Sequence, residues 1–309
     1  MAGGDLMLTQ SVESYLELRR AMGFALHSEG SLLLTFAKYS DAAGKSHICA
    51  ETAIRWAGSA RSVTTRARRL GQVIRLARFL RAEDECHELP PPVYGGEKSP
   101  RPVPYIFSAD NVNQLVQAAS RLGKRNPFRG QTYSTFFSLL ACTGLRVSEA
   151  IRLRFDDVTA DGLIIRCSKF RKSRLVPLHS TALVGLEQYL QKRRLFAPFD
   201  DHVFVSLRRR MLLVGDAETA FRAAAAKIGL KREPGLPRPT IHALRHTFAV
   251  RSLEHCPDGR ERITKHMLAL STYLGHSKVA DTYWYLEATP ELMTGIADSC
   301  EAFFAGGRP

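Results

Sequence analysis

The chain has 309 residues, room for two domains, and 45% of them are hydrophobic, enough for a sizeable core. Its 44 Lys and Arg outnumber 30 Asp and Glu, and the net charge of +14 favours a polyanionic partner, nucleic acid above others. No run of about 18 apolar residues occurs, which excludes a membrane-spanning helix and makes a membrane partner unexpected.

The opening "MAGGDLMLTQ" lacks the basic-then-apolar form of a signal peptide. The six cysteines lie far apart with no C-x-x-C pair, so they read as reduced cytoplasmic thiols and not as zinc ligands.

The first 88 residues read as helices. "SVESYLELRRAMGF" places Val12, Tyr15 and Leu16 at helical spacing, with Ser11 as its N-cap. "SEGSLLLTFAKYSDAAG" is a second helix, stopped by Gly44, and "CAETAIRWAGSA" a shorter third. The fourth is "SVTTRARRLGQVIRLARFLRAED", and residues 61–81 hold seven arginines and no acid. Val73, Ile74, Leu76, Ala77, Phe79 and Leu80 supply its apolar side. Arg68, Arg75, Arg78 and Arg81, with Arg66 near its start, supply a basic one. Arginines with no interleaved carboxylates suit phosphate contact better than a solvated ion-pair face. "AEDE" then only ends this helix, and neither it nor "FDDV" further on finds a partner that makes a metal site.

"LPPPVYGGEKSPRPVPY", residues 89–105, carries six prolines. It reads as an extended linker between a helical domain, 1–88, and a second domain, 106–309. In that domain "SADNVNQLVQAASRLG" is a helix capped by Ser108, "TYSTFFSLLACTGL" an apolar helix broken at Gly144, and "RVSEAIRLRFDDV" a further helical segment. "LIIRC" and "RLVPL" flank a basic turn and form a β-hairpin, and "HVFVS" is one more short strand. "TALVGLEQYLQKRR", "AETAFRAAAAKIGL" and most of the remainder are helical. The fold is therefore mainly α, with a small antiparallel sheet in the second domain.

Four places in that domain carry chemistry. "CTGLRVSEA" has Arg146 just after a glycine and Glu149 three residues on. Lys169 opens the hairpin turn, with Arg171 and Lys172 close by. "IHALRHTFA" gives His242 and Arg245 at H-x-x-R spacing. "LGH" ends in His276, and Tyr285 follows nine residues later in "DTYWYLEATPEL". His246 reads as an ordinary core histidine, and His266 as exposed on its helix.

In this order, the motifs resemble those of the tyrosine recombinases of the phage integrase family, over nearly the whole chain. The run around Tyr285 is also similar to recombinases of bacterial mobile elements that encode several recombinases side by side. The resemblance implies a helical core-binding domain, 1–88, and a mixed α/β catalytic domain, 106–309, clamped on double-stranded DNA. It implies cleavage and rejoining through a 3′-phosphotyrosyl intermediate, without cofactor or metal, in integration or excision. Arg146 and Arg245 would clamp the phosphate, and His242 and His276 would bond it, one of them exchanging the tyrosine's proton. Lys169 would protonate the leaving 5′ oxygen, and Glu149 would orient Arg146 or a histidine.

Residues two apart on a helix point about 200° from one another, so Tyr283 and Tyr285 cannot both face one phosphate. The family's spacing from the LGH histidine selects Tyr285 and leaves Tyr283 and Trp284 to packing. A dimer per site and a tetrameric synapse follow from the resemblance, as a homo-oligomer or with sibling recombinases. The tail, with Leu292, Ile296, Phe303 and Phe304, docks on a neighbouring subunit or on its own domain. A tyrosine-type topoisomerase and an accessory DNA-binding protein are the alternatives.

Overall fold

The computed structural model describes residues 7–95, 103–123, 126–166, 173–231, 237–255, 260–276 and 279–285. The chain divides into two compact units, Met1–Pro100 and Arg101–Pro309.

Four helices build the first unit: α1 (Leu8–Ala21), α2 (His27–Ala42), α3 (Ala50–Gly58) and α4 (Val63–Leu80). Each turns an apolar stripe inward. Leu8, Val12 and Leu16 of α1 meet Leu33 and Phe36 of α2, Trp56 of α3, and Leu70, Val73 and Leu76 of α4. Burying a Leu, Val or Phe fully contributes about 1.5–3 kcal/mol relative to leaving it exposed.

Ser11 does not cap α1. The helix starts at Leu8, because the Asp41 carboxylate at the end of α2 accepts from the Leu8 and Thr9 backbone N–H groups at 2.9 and 3.2 Å. Its cap comes from 33 residues away, beyond the reach of a local pattern. Ser62 does cap α4, accepting from Thr65 N. Asp84 of "AEDE" has a partner after all: its Oδ2 lies 3.0 Å from His47 Nε2, and its Oδ1 accepts from Cys86 N at 2.9 Å. That acid closes the loops at one end of the bundle. Within the 89–105 stretch, the Tyr94 hydroxyl donates to Ile54 O at 3.0 Å, so the start of that stretch packs on the helices.

The second unit centres on α6 (Pro127–Thr143), which packs against α5 (Ala109–Ser120), α8 (Ser180–Phe196) and α10 (Ala243–Glu254). Phe128, Tyr133, Phe136, Phe137, Leu139 and Leu140 bury it on every side, as expected for a central helix. The segment 146–158 holds only a one-turn helix, α7 (Val147–Ile151), and a 3-10 turn at Phe155–Asp157. Asp157 of "FDDV" caps that turn through Arg154 N and pairs with Arg166.

The sheet is antiparallel and has three strands in the order β1 (Val158–Thr159), β2 (Gly162–Ile165), β3 (Arg174–Val176). Leu163 pairs with Val176 and Ile165 with Arg174. The two strands of the hairpin were legible in the sequence; β1, two residues long, was not.

"HVFVS" is not a strand of this sheet; it makes only the isolated bridges Arg154–His202 and Val205–Met211. The buried Arg193 guanidinium ties down the loop before it, donating to Ala197 O, Asp200 O and His202 O at 2.7–2.8 Å. α9 (Val214–Lys227), α11 (Arg260–Leu274) and the single turn α12 (Ala280–Tyr283) complete the unit. Among the described residues no helix is long and apolar enough to cross a membrane.

Candidate active site

The site is organised by the end of α11. A helix leaves its last carbonyls without intrahelical donors. Here three arginines from three other elements supply them in succession. Arg174 Nε donates to Tyr273 O at 2.7 Å, Arg245 NH2 to Leu274 O at 2.8 Å, and Arg146 NH2 to Gly275 O at 3.0 Å. Cations at the negative end of a helix dipole are also favoured electrostatically.

Gly275 ends α11 with φ +68°. Gly275 N donates to Thr272 O and His276 N to Ser271 O, the paired bonds of a Schellman stop. The glycine before the histidine thus has a conformational reason: it turns the chain so that His276 leaves the helix beside the arginines. A β-carbon there would lie 3.0 Å from Arg174 NH1.

Arg146 N-caps α7, and Gly144 just before it ends α6 with φ +61°. Glu149 accepts from Arg146 twice, from NH1 at 2.7 Å and from backbone N at 3.0 Å. It also takes both terminal nitrogens of Arg174, at 3.1 and 2.9 Å. Burial opposes ionisation of Glu149, but the hydrogen bonds and charges of Arg174 and Arg146 outweigh it and hold the carboxyl down at about 2. Arg146 is thus one of the partners the sequence left open for Glu149 that it does touch. Arg174 was missed. Strand alternation carried a signal for it: Arg174 lies two residues before buried Val176, hence on the inward side of β3.

Arg245 is buried at 3% exposure and also donates to Gly144 O at 2.6 Å. Burial, then the neighbouring Arg146, pushes its pKa down to about 10, which leaves it a cation at neutral pH. His242 is exposed at the N-cap of the same helix. His276 is held by Thr282, with Nδ1 and Oγ1 2.7 Å apart.

Tyr285 is 3% exposed, and its ring stacks on His276 at a centroid distance of 6.1 Å. Trp284 packs against it, but Tyr283 is 52% exposed and does not serve as packing. Tyr283 ends the single-turn helix Ala280–Tyr283 and Tyr285 lies beyond it, so the two differ in burial without sharing one helix.

His246 is not a plain core histidine: its Nδ1 lies 3.2 Å from the Tyr285 hydroxyl. The spacing of His242, Arg245 and His246 at i, i+3 and i+4 could have placed all three on one helix face. His266 is half-buried, with Nε2 2.8 Å from Ser252 O, because α11 packs on α10 there.

Lys169, Arg171 and Lys172 lie outside the described residues, as does the tail from residue 286 onward. In the first unit Arg68, Arg75, Arg78 and Arg81 are exposed. Arg66 is half-buried, and its Nε donates to Ala60 O at 2.8 Å, tying the turn before α4. His47, Asp84 and Cys86, and separately Asp200, Asp201 and His202, gather metal-type donors. His47 and Asp84, and likewise Asp200 and His202, are within hydrogen-bond distance of each other.

A buried Arg245 and part-buried Arg146 and Arg174, gathered at the helix end that leads to His276 and Tyr285, suit the class of enzymes that act on a phosphodiester through a tyrosine. The comparisons with known proteins agree. The profile of the phage integrase family matches residues 106–291. The protein y4rB of Sinorhizobium fredii, named for an integrase/recombinase, is 36% identical over 294 residues, 92% of this chain and 94% of that one. The tyrosine recombinase XerC of Pseudomonas fluorescens is 31% identical over 235 residues, 75% of this chain and 72% of that one.

Among solved structures, XerH site-specific recombinase bound to its palindromic difH substrate superposes with a TM-score of 0.65. It is 17% identical and covers 89% of this chain and 80% of its own. A lambda integrase tetramer bound to a Holliday junction gives 0.61 at 18% identity, over 88% and 77%. At these identities the likeness is one of fold. The chain belongs to the phage integrase family.

Proposed function

We propose that this protein is a site-specific DNA recombinase in which Tyr285 attacks a backbone phosphodiester and keeps the broken strand as a 3′-phosphotyrosyl ester. One observation carries the reading: Arg146, Arg245 and His276 converge on the last turn of α11, and Tyr285 stacks on that histidine.

The transition state gathers negative charge on the non-bridging oxygens. Arg146 and Arg245 supply planar, permanently charged donors for it. Both are already fixed by backbone carbonyls, so little reorganisation is needed when charge develops. Glu149 and Arg174 act through Arg146 and are positioning residues. His276, with Nδ1 set against Thr282, bonds a phosphate oxygen in this reading. His242, exposed beside Arg245, reaches the same anion. Lys169, by the family resemblance, donates the proton to the leaving 5′ oxygen.

Double-stranded DNA is the partner, bound by the catalytic unit and by the arginine face of α4. The 1–88 segment acts as the core-binding domain and 89–105 as the connection. A dimer per site and a tetramer for exchange follow from the relatives, one of which is described as a tetramer on a Holliday junction. We infer a cytoplasmic role in moving a mobile element, alone or with sibling recombinases; the name of y4rB, an integrase/recombinase, supports integration.

The test is strand exchange. A duplex carrying the sequence that the protein selects from a randomised library is offered in two lengths with different end labels. Recombinant strands of intermediate length are expected from the wild type and none from Tyr285→Phe. Relaxation of supercoiled plasmid with no exchanged strands would contradict the recombinase assignment and favour a topoisomerase.

A further inference from the structure

The geometry points to His246 as the group that exchanges the proton of the Tyr285 hydroxyl. The inference rests on the reading of Tyr285 as nucleophile and goes beyond it, since nothing in the motif pattern gives His246 a task.

The observations are distances to the reacting atom. His246 Nδ1 lies 3.2 Å from Tyr285 Oη, within reach for direct proton transfer. His276 faces the Tyr285 ring at 6.1 Å, plane on plane at 19°, and its Nδ1 is 2.7 Å from Thr282. It stacks on the Tyr285 ring. His242 meets the edge of His246, with centroids 4.6 Å apart.

The imidazole of His246 is held on several sides. Trp284 packs edge-on at 5.1 Å, Tyr285 at 5.6 Å, and His242 on the remaining side. Its backbone is fixed because Arg245, one residue earlier, is anchored to Gly144 O and Leu274 O. The titratable and charged groups near it include His242 and Arg245 from α10 and Tyr285 itself, on which His276 stacks in turn. Arg146 and Glu149 stand behind Arg245.

The step balances without a further reactant. In the tautomer with its proton on Nε2, His246 accepts the phenolic hydrogen at Nδ1. The freed electron pair on Tyr285 Oη forms the bond to phosphorus. The bond from phosphorus to the 5′ oxygen breaks, and that oxygen takes its proton from the lysine side of the site. The resulting imidazolium is close to the phosphotyrosine. On religation it returns the proton to the departing phenolate, so one residue serves as base and then as acid. A phenol ordinarily titrates near about 10, so near pH 7 this transfer removes a real barrier.

The experiment is single-turnover cleavage of a nicked duplex bearing the selected sequence, by the full-length chain, over a range of pH. His246→Asn keeps an acceptor near the Nδ1 position but cannot take a proton. The expected result is a loss of about a hundredfold at neutral pH, with DNA binding unchanged. Raising the pH, or placing the more acidic fluorotyrosine at position 285, should restore about tenfold or more in the His246→Asn background and little in the wild type.

A wild-type rate for His246→Asn would overturn the inference. So would a loss that neither alkaline pH nor fluorotyrosine relieves, since a packing role cannot be bypassed by a more acidic phenol. Covalent adduct from Tyr285→Phe would instead sink the underlying reading, and the two failures are read in different variants.

Discussion

Tyr283 and Tyr285 are two positions apart and differ in every physical respect. One is 52% exposed; the other is 3% exposed, against two histidines. Tyr283→Phe is expected to cleave DNA at the wild-type rate in a gel assay. Arg245 separates charge from shape. Arg245→Lys keeps the cation but loses the fork that spans Gly144 O and Leu274 O. Removing one well-placed donor from a developing oxyanion costs about a hundredfold or more, and the expected loss is in the single-turnover rate, with DNA affinity retained.

Glu149 makes a prediction about acid. Its folded carboxyl titrates at about 2, below its ordinary 4.5. Its stabilisation is therefore complete above 4.5 and is lost as the pH falls towards 2. Glu149→Gln should be less stable than wild type at neutral pH and should lose less on acidification through that window, as read by chemical denaturation at several pH values. An identical acid response in the two proteins would show that Glu149 is not held as described.

At the scale of elements, the end of α11 does more than any one side chain. Its glycine stop, its three arginine-capped carbonyls and the histidine that follows form one unit. Gly275→Ala combines a left-handed φ with a β-carbon 3.0 Å from Arg174, which costs about 1 kcal/mol or more. It is expected to slow cleavage while lowering thermal stability only modestly, because His276 and Arg174 are displaced together. Arg174→Lys, unable to bond Tyr273 O and both oxygens of Glu149 at once, should lower the cleavage rate but leave KM for the duplex close to wild type.

Much of this was legible before the structure. Arg146, Arg245, His276 and Tyr285 announce themselves through order and spacing, and Gly275 through its place before the histidine. What was hidden depends on tertiary partners. Asp41 caps α1 from 33 residues away, so the local Ser11 signal misled. "HVFVS" has the composition of a strand, but its pairing stops at isolated bridges to Arg154 and Met211, which lie outside the segment. Arg174 drew no notice at the start of the strand "RLVPL", because its carboxylate partner lies 25 residues earlier. His246 looked inert because its partner, Tyr285, is 39 residues later.

For the whole molecule, the net charge of +14 and the exposed Arg68, Arg75 and Arg78 on α4 concern affinity and not chemistry. Neutralising phosphates releases counterions, so log affinity should fall steeply and linearly with log salt concentration. Changing Arg68, Arg75 and Arg78 to Gln should reduce that slope by about one for each phosphate that an arginine no longer neutralises. It should leave the cleavage rate of bound DNA unaltered. A slope unchanged by all three would place the DNA away from this face.

The central claim is that Tyr285 becomes covalently joined to DNA, and it can be measured directly. The wild-type chain, Tyr285→Phe and Tyr283→Phe are incubated with a labelled nicked duplex of the selected sequence. They are then run on denaturing gels, and the adduct is digested and mapped by mass spectrometry. The expected result is a single adducted peptide containing residue 285, present in wild type and Tyr283→Phe and absent from Tyr285→Phe. An adduct on another residue, or one that survives Tyr285→Phe, would contradict the account.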